Sequence, residues 1–149
     1  MSYIQHIKTM KASGICPFCE EYKQDIAIDE NATAYVLPAR APYTEDHLLI
    51  CTKRHVDVLQ DLTAEELTDV YALIVKREVK LHHIHKEVVV FLRQGEPFGV
   101  TGKSVHHFHR HIVPHFTIKY GGTQEASDSR HMMDDKEYTQ KIAQMRAMN

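Results

Sequence analysis

The order of hydrophobic and polar positions predicts several short strands and one long helix. Branched and aromatic residues dominate three runs, at 32–39, 47–52 and 88–92, and this composition is typical of buried strands. Between the second and the third run, Thr63 is followed three residues later by Glu66, which is the pattern of a capping box at a helix start. The chain therefore places a helix between its strands.

The helix that begins after Thr63 carries a wide apolar face. Its apolar residues are Leu67, Val70, Tyr71, Leu73, Ile74, Val75, Val79 and Leu81. A glycine-containing loop at 93–103 leads into a strand at 104–115, and after a break at 121–129 the residues 134–148 predict an amphipathic C-terminal helix. This order of elements predicts an α+β fold with a mainly antiparallel sheet.

Length and composition indicate one globular domain. The 149 residues suffice for a core, and 43% hydrophobic with 26% charged residues is typical of soluble proteins. The formal charge of −2 argues against a dedicated nucleic-acid-binding protein, which is usually strongly basic. No apolar run approaches the roughly 20 residues that span a bilayer, and the N-terminus lacks the apolar stretch of a secretory signal. We therefore expect a cytoplasmic protein without a membrane partner.

The cysteines favour a metal site. Cys16 and Cys19 form a CPFC pair, which in a reducing compartment indicates metal binding or redox chemistry before a structural disulfide. A redox pair would need a strand before it and a long helix after it, and residues 20–32 show no clear helical stripe. Cys51 lies inside an apolar strand, and we expect it to be a small core residue.

Histidine is concentrated in SVHHFHRHIVPH, residues 104–115, where His107, His109 and His111 occupy every second position. In a strand such positions face one side, with successive residues roughly 7 Å apart. Three imidazoles on one face suit a zinc triad or a row of groups that holds a phosphate, and a solvated histidine-rich strand is the third alternative. The loop before them favours phosphate, although the glycine spacing that a P-loop needs before Gly102-Lys103-Ser104 is absent.

These residues resemble the signature of the histidine triad (HIT) family. His107-Phe108-His109-Arg110-His111-Ile112-Val113 alternates histidine with apolar residues as the family does, except at Arg110. The stretch PYTEDHLLICTKRHVDVLQDLTAEEL at 42–67 is similar to the family's upstream block, and CPFC is similar to its N-terminal cysteine pair. The likeness covers about residues 15–118 in the family's order and is most similar to the branch that acts on diadenosine polyphosphates.

For the fold, the resemblance implies one HIT-like domain over residues 1–149. Its core would span about 15–118, and 119–149 would form a C-terminal extension. The architecture would be a mainly antiparallel sheet of about five strands, with one long helix packed on it and a C-terminal helix. The family also leads us to expect a homodimer.

For function, the resemblance implies a nucleotide phosphohydrolase or nucleotidyl transferase that acts at an α-phosphate of a dinucleoside polyphosphate or a nucleoside phosphoramidate. His109 would attack the phosphorus and form a nucleotidyl-histidine intermediate, because a neutral imidazole is a competent nucleophile near pH 7. His111 would bind the phosphate, with Ser104, Lys103 and His107 as further candidates for phosphate binding. A solvated loop lysine is the alternative for Lys103.

The resemblance further implies a structural zinc ion held by Cys16, Cys19, His55 and His107. A closed set of two cysteines and two histidines leaves no open coordination position, so the zinc would hold the fold and would not take part in the chemistry. For His55 the alternative is an ordinary surface histidine.

The chain departs from the family pattern at the position that holds the ribose of the nucleotide. Members that bind adenosine usually hold the ribose hydroxyls with Asn or Asp, and the residues near that position here are Val36, Pro38 and Ala39. Two alternatives to an efficient enzyme stay open: a catalytically weak HIT-fold nucleotide-binding or sensor protein, and a zinc-scaffolded interaction module. The missing acid favours the sensor, and the intact triad opposes it. His47 is assigned to packing.

Overall fold

The computed structural model describes residues 1–118 and 131–149. Its strands are β1 (Asp29–Glu30), β2 (Ala34–Pro38), β3 (Leu48–Thr52), β4 (Val88–Leu92) and β5 (His109–Pro114). They form one sheet in the order β1-β2-β3-β5-β4, and every neighbouring pair runs antiparallel. The predicted α+β class with a five-stranded antiparallel sheet is confirmed.

The helices of the described residues are α1 (Tyr3–Ala12), α2 (Pro17–Lys23), α3 (Ala64–His82) and α4 (Asp135–Ala147). The capping box predicted for α3 is present, because the Thr63 side chain accepts from the Glu66 N–H and the Glu66 side chain accepts from the Thr63 N–H. None of the helices in these ranges combines the length and the apolar composition that crossing a bilayer requires.

Helices α3 and α4 pack on one face of the sheet. Val70, Leu73 and Ile74 of α3 and Tyr138 and Ile142 of α4 belong to one buried apolar cluster. The strands contribute to it Ala34, Val36, Leu48, Ile50 and Ile112. The C-terminal helix is thus part of the core. The break predicted at 121–129 lies outside the described residues.

Helices α1 and α2 pack on the opposite face. Ile7 of α1 and Phe18 of α2 form a second cluster with Tyr35, Leu37 and Leu49. Neighbouring residues of β2 and β3 therefore alternate between the two clusters, as the period of a strand requires. The same cluster buries Cys51 completely, in agreement with its predicted role as a core residue.

The outer part of the predicted α3 face is exposed. Tyr71, Val75 and Val79 are 50%, 57% and 57% exposed, whereas Val70 on the inner side is 1% exposed. The helix therefore carries more apolar surface than the sheet of one chain covers. Arg110, the exception to the histidine pattern, extends from the same face of β5, and its guanidinium lies 5.4 Å from the centre of the Tyr71 ring.

Candidate functional site

Strand β5 presents two of the three histidines to the face that carries α1 and α2. His109 is paired with Cys51 and His111 with Leu49, and both partners belong to the cluster on that face. Side chains at directly paired positions share a face of the sheet, so both imidazoles point toward α1 and α2. His107 lies two residues before the start of the strand.

A pocket opens on this face. Its empty space, counted together with the solvent-open mouth, is about 650 Å³. The predicted residues that line it are His109, His111, Ser104 and Lys103. The structure therefore brings together four of the five residues predicted to bind or attack a phosphate.

The backbone fixes His109 in one tautomer. Its Nδ1 lies 2.7 Å from the carbonyl oxygen of His107, and a carbonyl only accepts, so Nδ1 carries the proton and Nε2 the lone pair. Burial lowers the pKa of His109 to about 4, which keeps the ring neutral near pH 7. A neutral imidazole with its lone pair on Nε2 is the form in which histidine acts as a nucleophile.

A chain of hydrogen bonds gives His111 the opposite arrangement. The Tyr43 N–H donates to His47 Nδ1 at 3.1 Å, so His47 Nε2 carries a proton and donates it to His111 Nδ1 at 3.0 Å. His111 therefore holds its own proton on Nε2 and is a hydrogen-bond donor there. The Phe91 ring stacks on His111 with centroids 4.5 Å apart and holds its plane. His47, assigned to packing from the sequence, in addition sets the tautomer of His111.

The loop before β5 supplies a serine and a buried lysine. Ser104 Oγ lies 2.8 Å from the hydroxyl of Tyr3. Lys103 is 2% exposed and its ammonium forms an ion pair with Asp57, whose other oxygen lies 2.8 Å from His106 Nδ1. The alternative of a solvated loop lysine is therefore wrong. No sequence pattern pointed to Asp57.

The four predicted metal ligands lie together at the N-terminus of α2. The ligand atoms of Cys16, Cys19, His55 and His107 all lie within 4.8 Å of one another. The sulfur-to-nitrogen distances are 3.4 Å for Cys16–His107, 3.4 Å for Cys19–His55 and 3.5 Å for Cys19–His107. A tetrahedral zinc ion with Zn–S near 2.3 Å and Zn–N near 2.0 Å separates sulfur from nitrogen by about 3.5 Å. The donors and their spacing fit zinc.

His107 is oriented toward the cysteines. Its Nε2 donates to the Thr52 carbonyl at 2.7 Å, which leaves the lone pair of Nδ1 directed at the two sulfurs. The ring is completely buried and does not line the pocket. Of the two roles predicted for His107, its geometry fits metal binding and leaves no ring nitrogen for a phosphate.

The position expected to hold a ribose acid offers no hydrogen-bonding side chain. Val36 and Pro38 are buried within β2, and Ala39 lines the pocket. Three charged residues that the sequence analysis did not single out also line the pocket, namely Glu21, Arg40 and Arg93. The contact between Glu21 and Arg40 is described below.

The family model of the HIT domain matches residues 20–118, which is well over half of the chain. The chain belongs to the HIT domain family. The matched residues of this HIT protein include His55 and the three histidines of the triad, whereas both cysteines of the metal cluster precede them. The predicted resemblance is confirmed.

Two curated proteins are similar to the HIT chain. It is 31% identical over 107 residues to the bifunctional bis(5'-adenosyl)-triphosphatase/adenylylsulfatase FHIT of Arabidopsis thaliana, covering 70% of this chain and 56% of that protein. It is 32% identical over 83 residues to the bis(5'-adenosyl)-triphosphatase of Dictyostelium discoideum, covering 54% of each. The HIT chain thus spans about half the length of these relatives.

A solved structure with the same fold is the zinc-bound histidine triad family protein of Mycobacterium smegmatis. It superposes with a TM-score of 0.63 at 22% identity, over 89% of this chain and 93% of that one. This likeness shows the HIT fold, as the sequence resemblance predicted.

Proposed function

We propose that this HIT protein is an enzyme that transfers or hydrolyses a nucleotidyl group at an α-phosphate through a covalent intermediate on His109. The observation that carries the proposal is the tautomer of His109, which is buried, neutral and protonated on Nδ1 beside the His107 carbonyl. The relatives named as bis(5'-adenosyl)-triphosphatases support a dinucleoside polyphosphate as substrate, and a nucleoside phosphoramidate would react at the same atom.

The reaction proceeds in two displacements. His109 Nε2 attacks the α-phosphorus, a P–N bond forms, and the bond to the leaving group breaks with its electron pair on that group. The ring becomes cationic, and its Nδ1–H continues to donate to the His107 carbonyl, which stabilises the charge. A polyphosphate leaves as an anion, and an amide leaving group takes up a proton from water. A water molecule then attacks the phosphorus and gives up a proton to the solvent, and the P–N electrons return to Nε2. Two such steps replace one more difficult displacement.

The donors around the pocket stabilise the phosphate. His111 Nε2 offers an N–H toward the oxygens that gain negative charge, and the Ser104 hydroxyl adds a further donor. The buried ammonium of Lys103 supplies positive charge to the same wall, with Asp57 fixing its position. The proposal thus gives His111, Ser104 and Lys103 the phosphate-binding roles that the family resemblance implies.

Turnover separates the candidate functions. The protein is incubated with diadenosine triphosphate and, separately, with adenosine 5'-phosphoramidate, and the release of adenosine monophosphate is followed. Release of adenosine monophosphate supports the proposal that the protein is an enzyme. Binding without release is the result expected of a nucleotide sensor, and the absence of both is the result expected of a zinc-scaffolded interaction module.

We also propose that zinc occupies the cluster of Cys16, Cys19, His55 and His107 as a structural ion. The donor set is closed, so the ion offers no position for substrate and stabilises the fold. It ties α2 to His107, whose carbonyl fixes the His109 ring. Zinc thereby contributes to activity only by holding the nucleophile in place.

Protein purified without chelator is expected to contain one zinc ion per chain by elemental analysis. Cys16→Ser should lose the ion and lower the free energy of unfolding by about 3 kcal/mol, the effect of a ligand at roughly a hundred times its Kd. The activity per folded molecule should fall by much less. Cys51→Ala is the matched control, because this third cysteine lies outside the cluster. A zinc content near zero in the unmodified protein would disprove the site.

We further propose a homodimer that forms through β4 and the exposed side of α3. Among the described strands β4 is at the edge of the sheet, and its residues Val88–Leu92 are apolar and half-buried. Tyr71, Val75 and Val79 extend this apolar surface on α3. Unpaired strand edges and contiguous apolar patches are features of protein interfaces, and a second copy offers the same edge for pairing.

The double variant Val75→Glu/Val79→Glu is expected to be monomeric at concentrations at which the unmodified protein is dimeric. Light scattering after size-exclusion chromatography measures the mass. Gln140→Glu, which adds a charge at an exposed position of α4, should stay dimeric. An unmodified protein that runs as a monomer would rule out this interface.

We propose that the protein works in the cytoplasm on a small-molecule substrate. The described cysteines are all free, which suits a reducing compartment such as the cytoplasm. The substrate is a small nucleotide, and neither a nucleic acid nor a membrane is part of the proposal.

A further inference from the structure

A carboxylate in the pocket has one oxygen without a donor. Glu21 of α2 lines the pocket together with His109, and its side chain is 15% exposed. Its Oε1 accepts two hydrogen bonds from Arg40, at 3.1 and 3.3 Å. Within residues 1–118 and 131–149, its Oε2 is buried and has no hydrogen-bond partner. A buried acceptor without a donor is costly, so this atom is suited to a donor that arrives with a ligand.

Arg40 holds the carboxylate in a fixed position. Its guanidinium also donates to Asp135 at 3.0 Å and lies 4.2 Å from the centre of the Tyr138 ring, and both of these residues belong to α4. The Arg40 side chain is therefore held by contacts with both α2 and α4. Since both hydrogen bonds go to Oε1, the Glu21–Arg40 pair leaves Oε2 as a preorganised acceptor.

The position of Glu21 relative to the nucleophile indicates which part of a substrate it meets. Phe18 lies one helical turn earlier in α2, and its ring contacts the His109 ring with centroids 4.8 Å apart. One turn of helix advances about 5.4 Å. Glu21 therefore lies about one helical turn from the residue that contacts His109, a spacing that suits the group next to the reacting phosphorus. In a nucleoside 5'-phosphate that next group is the sugar, whose hydroxyls are donors.

Two alanines line the pocket beside Arg40. Ala39 and Ala41 flank this arginine and present methyl side chains. Arg40 and Arg93 of the lining can only donate hydrogen bonds, and among the described residues that line the pocket Glu21 is the one carboxylate. A sugar hydroxyl in this pocket would thus find its carboxylate acceptor on α2.

We infer that Glu21 Oε2 accepts a hydrogen bond from a ribose hydroxyl and makes the enzyme selective for ribonucleotides over nucleotides that lack these hydroxyls. This inference rests on the proposed function, since it takes the substrate to be a nucleotide bound at His109. It assigns the choice of sugar to Glu21 of α2, which Arg40 holds in place, and not to the position of Ala39 after β2.

The test compares three substrates with the same leaving group: adenosine 5'-phosphoramidate, its 2',3'-dideoxy form, and the purine riboside 5'-phosphoramidate that lacks the amino group of adenine. The unmodified enzyme should prefer the first over the second by about tenfold or more in kcat/KM, as expected for a hydrogen bond to a charged group. Glu21→Gln should lower kcat/KM for both ribose substrates by about tenfold and leave the dideoxy substrate within about twofold.

Glu20→Gln is the matched control. Glu20 is the preceding residue of α2, its side chain is 40% exposed, and it pairs with Lys23 at 3.0 Å. This variant should keep the unmodified preference for ribose. Thermal unfolding of both variants shows whether the helix is intact.

Several results would overturn the assignment. A ribose-to-dideoxy ratio near one in the unmodified enzyme would do so, as would an equal loss on all three substrates in Glu21→Gln. A loss confined to the substrate with the amino group would assign Glu21 to the base. If no substrate is turned over, the proposed function fails, and calorimetry with adenosine monophosphate and its 2',3'-dideoxy form still tests Glu21, because equal affinities would contradict its role.

Discussion

His109→Ala is expected to abolish turnover, with kcat for a nucleoside phosphoramidate reduced by at least about 10⁴-fold. No other triad histidine can replace the nucleophile, because His111 presents a proton on Nε2 and His107 uses both ring nitrogens elsewhere. The folded variant should still bind nucleotide, since the phosphate donors remain. Steady-state kinetics measures the loss, and circular dichroism with thermal unfolding verifies the fold.

The neighbouring histidines provide the comparison. His111→Ala removes one donor to the phosphate, which is worth about 3–4 kcal/mol of transition-state stabilisation, so a residual rate should be measurable. His107→Ala should act mainly through loss of zinc and of stability. A folded His109→Ala variant that keeps most of the unmodified kcat would refute the assignment of the nucleophile.

Val70→Asp is expected to unfold the domain. Val70 is 1% exposed on the side of α3 that packs on the sheet, in the cluster to which Ile50 and Ile112 also belong. An aspartate there buries a charge, and the expected loss is about 4 kcal/mol or more, a large part of the stability of a domain of this size. Urea denaturation followed by circular dichroism measures it.

Gln140→Asp serves as the control for Val70→Asp. Gln140 is exposed on α4, away from the proposed dimer interface, so the same charge should change the stability by less than about 0.5 kcal/mol. Native-like stability of Val70→Asp would mean that α3 does not pack on the sheet through this face.

The sequence predicts the elements whose signals are local. Thr63 and Glu66 mark the start of α3 because a capping box lies within one turn, and Val88–Leu92 is recognisable as a strand by its composition. Helix α2 is not predicted from the sequence, because its seven residues are too few to show a periodic apolar stripe. Its sequence signal is Pro17 at the first turn, a position that suits proline.

In the site, the sequence motif leads to His109, His111 and the four candidate metal ligands, but not to the residues that position them. The bond between His47 and His111 joins residues 64 apart, and the ion pair of Lys103 with Asp57 joins residues 46 apart. Such contacts depend on how the strands and loops meet, and no spacing along the chain encodes them.

Trapping the covalent intermediate tests the central claim most directly. The enzyme is mixed with diadenosine triphosphate, quenched in denaturant at alkaline pH within milliseconds, digested and analysed by mass spectrometry. We predict an adenylyl group on the peptide that contains His109, located on this residue by fragmentation. An enzyme that turns the substrate over and carries no adenylyl group, or carries it on another residue, would contradict the mechanism.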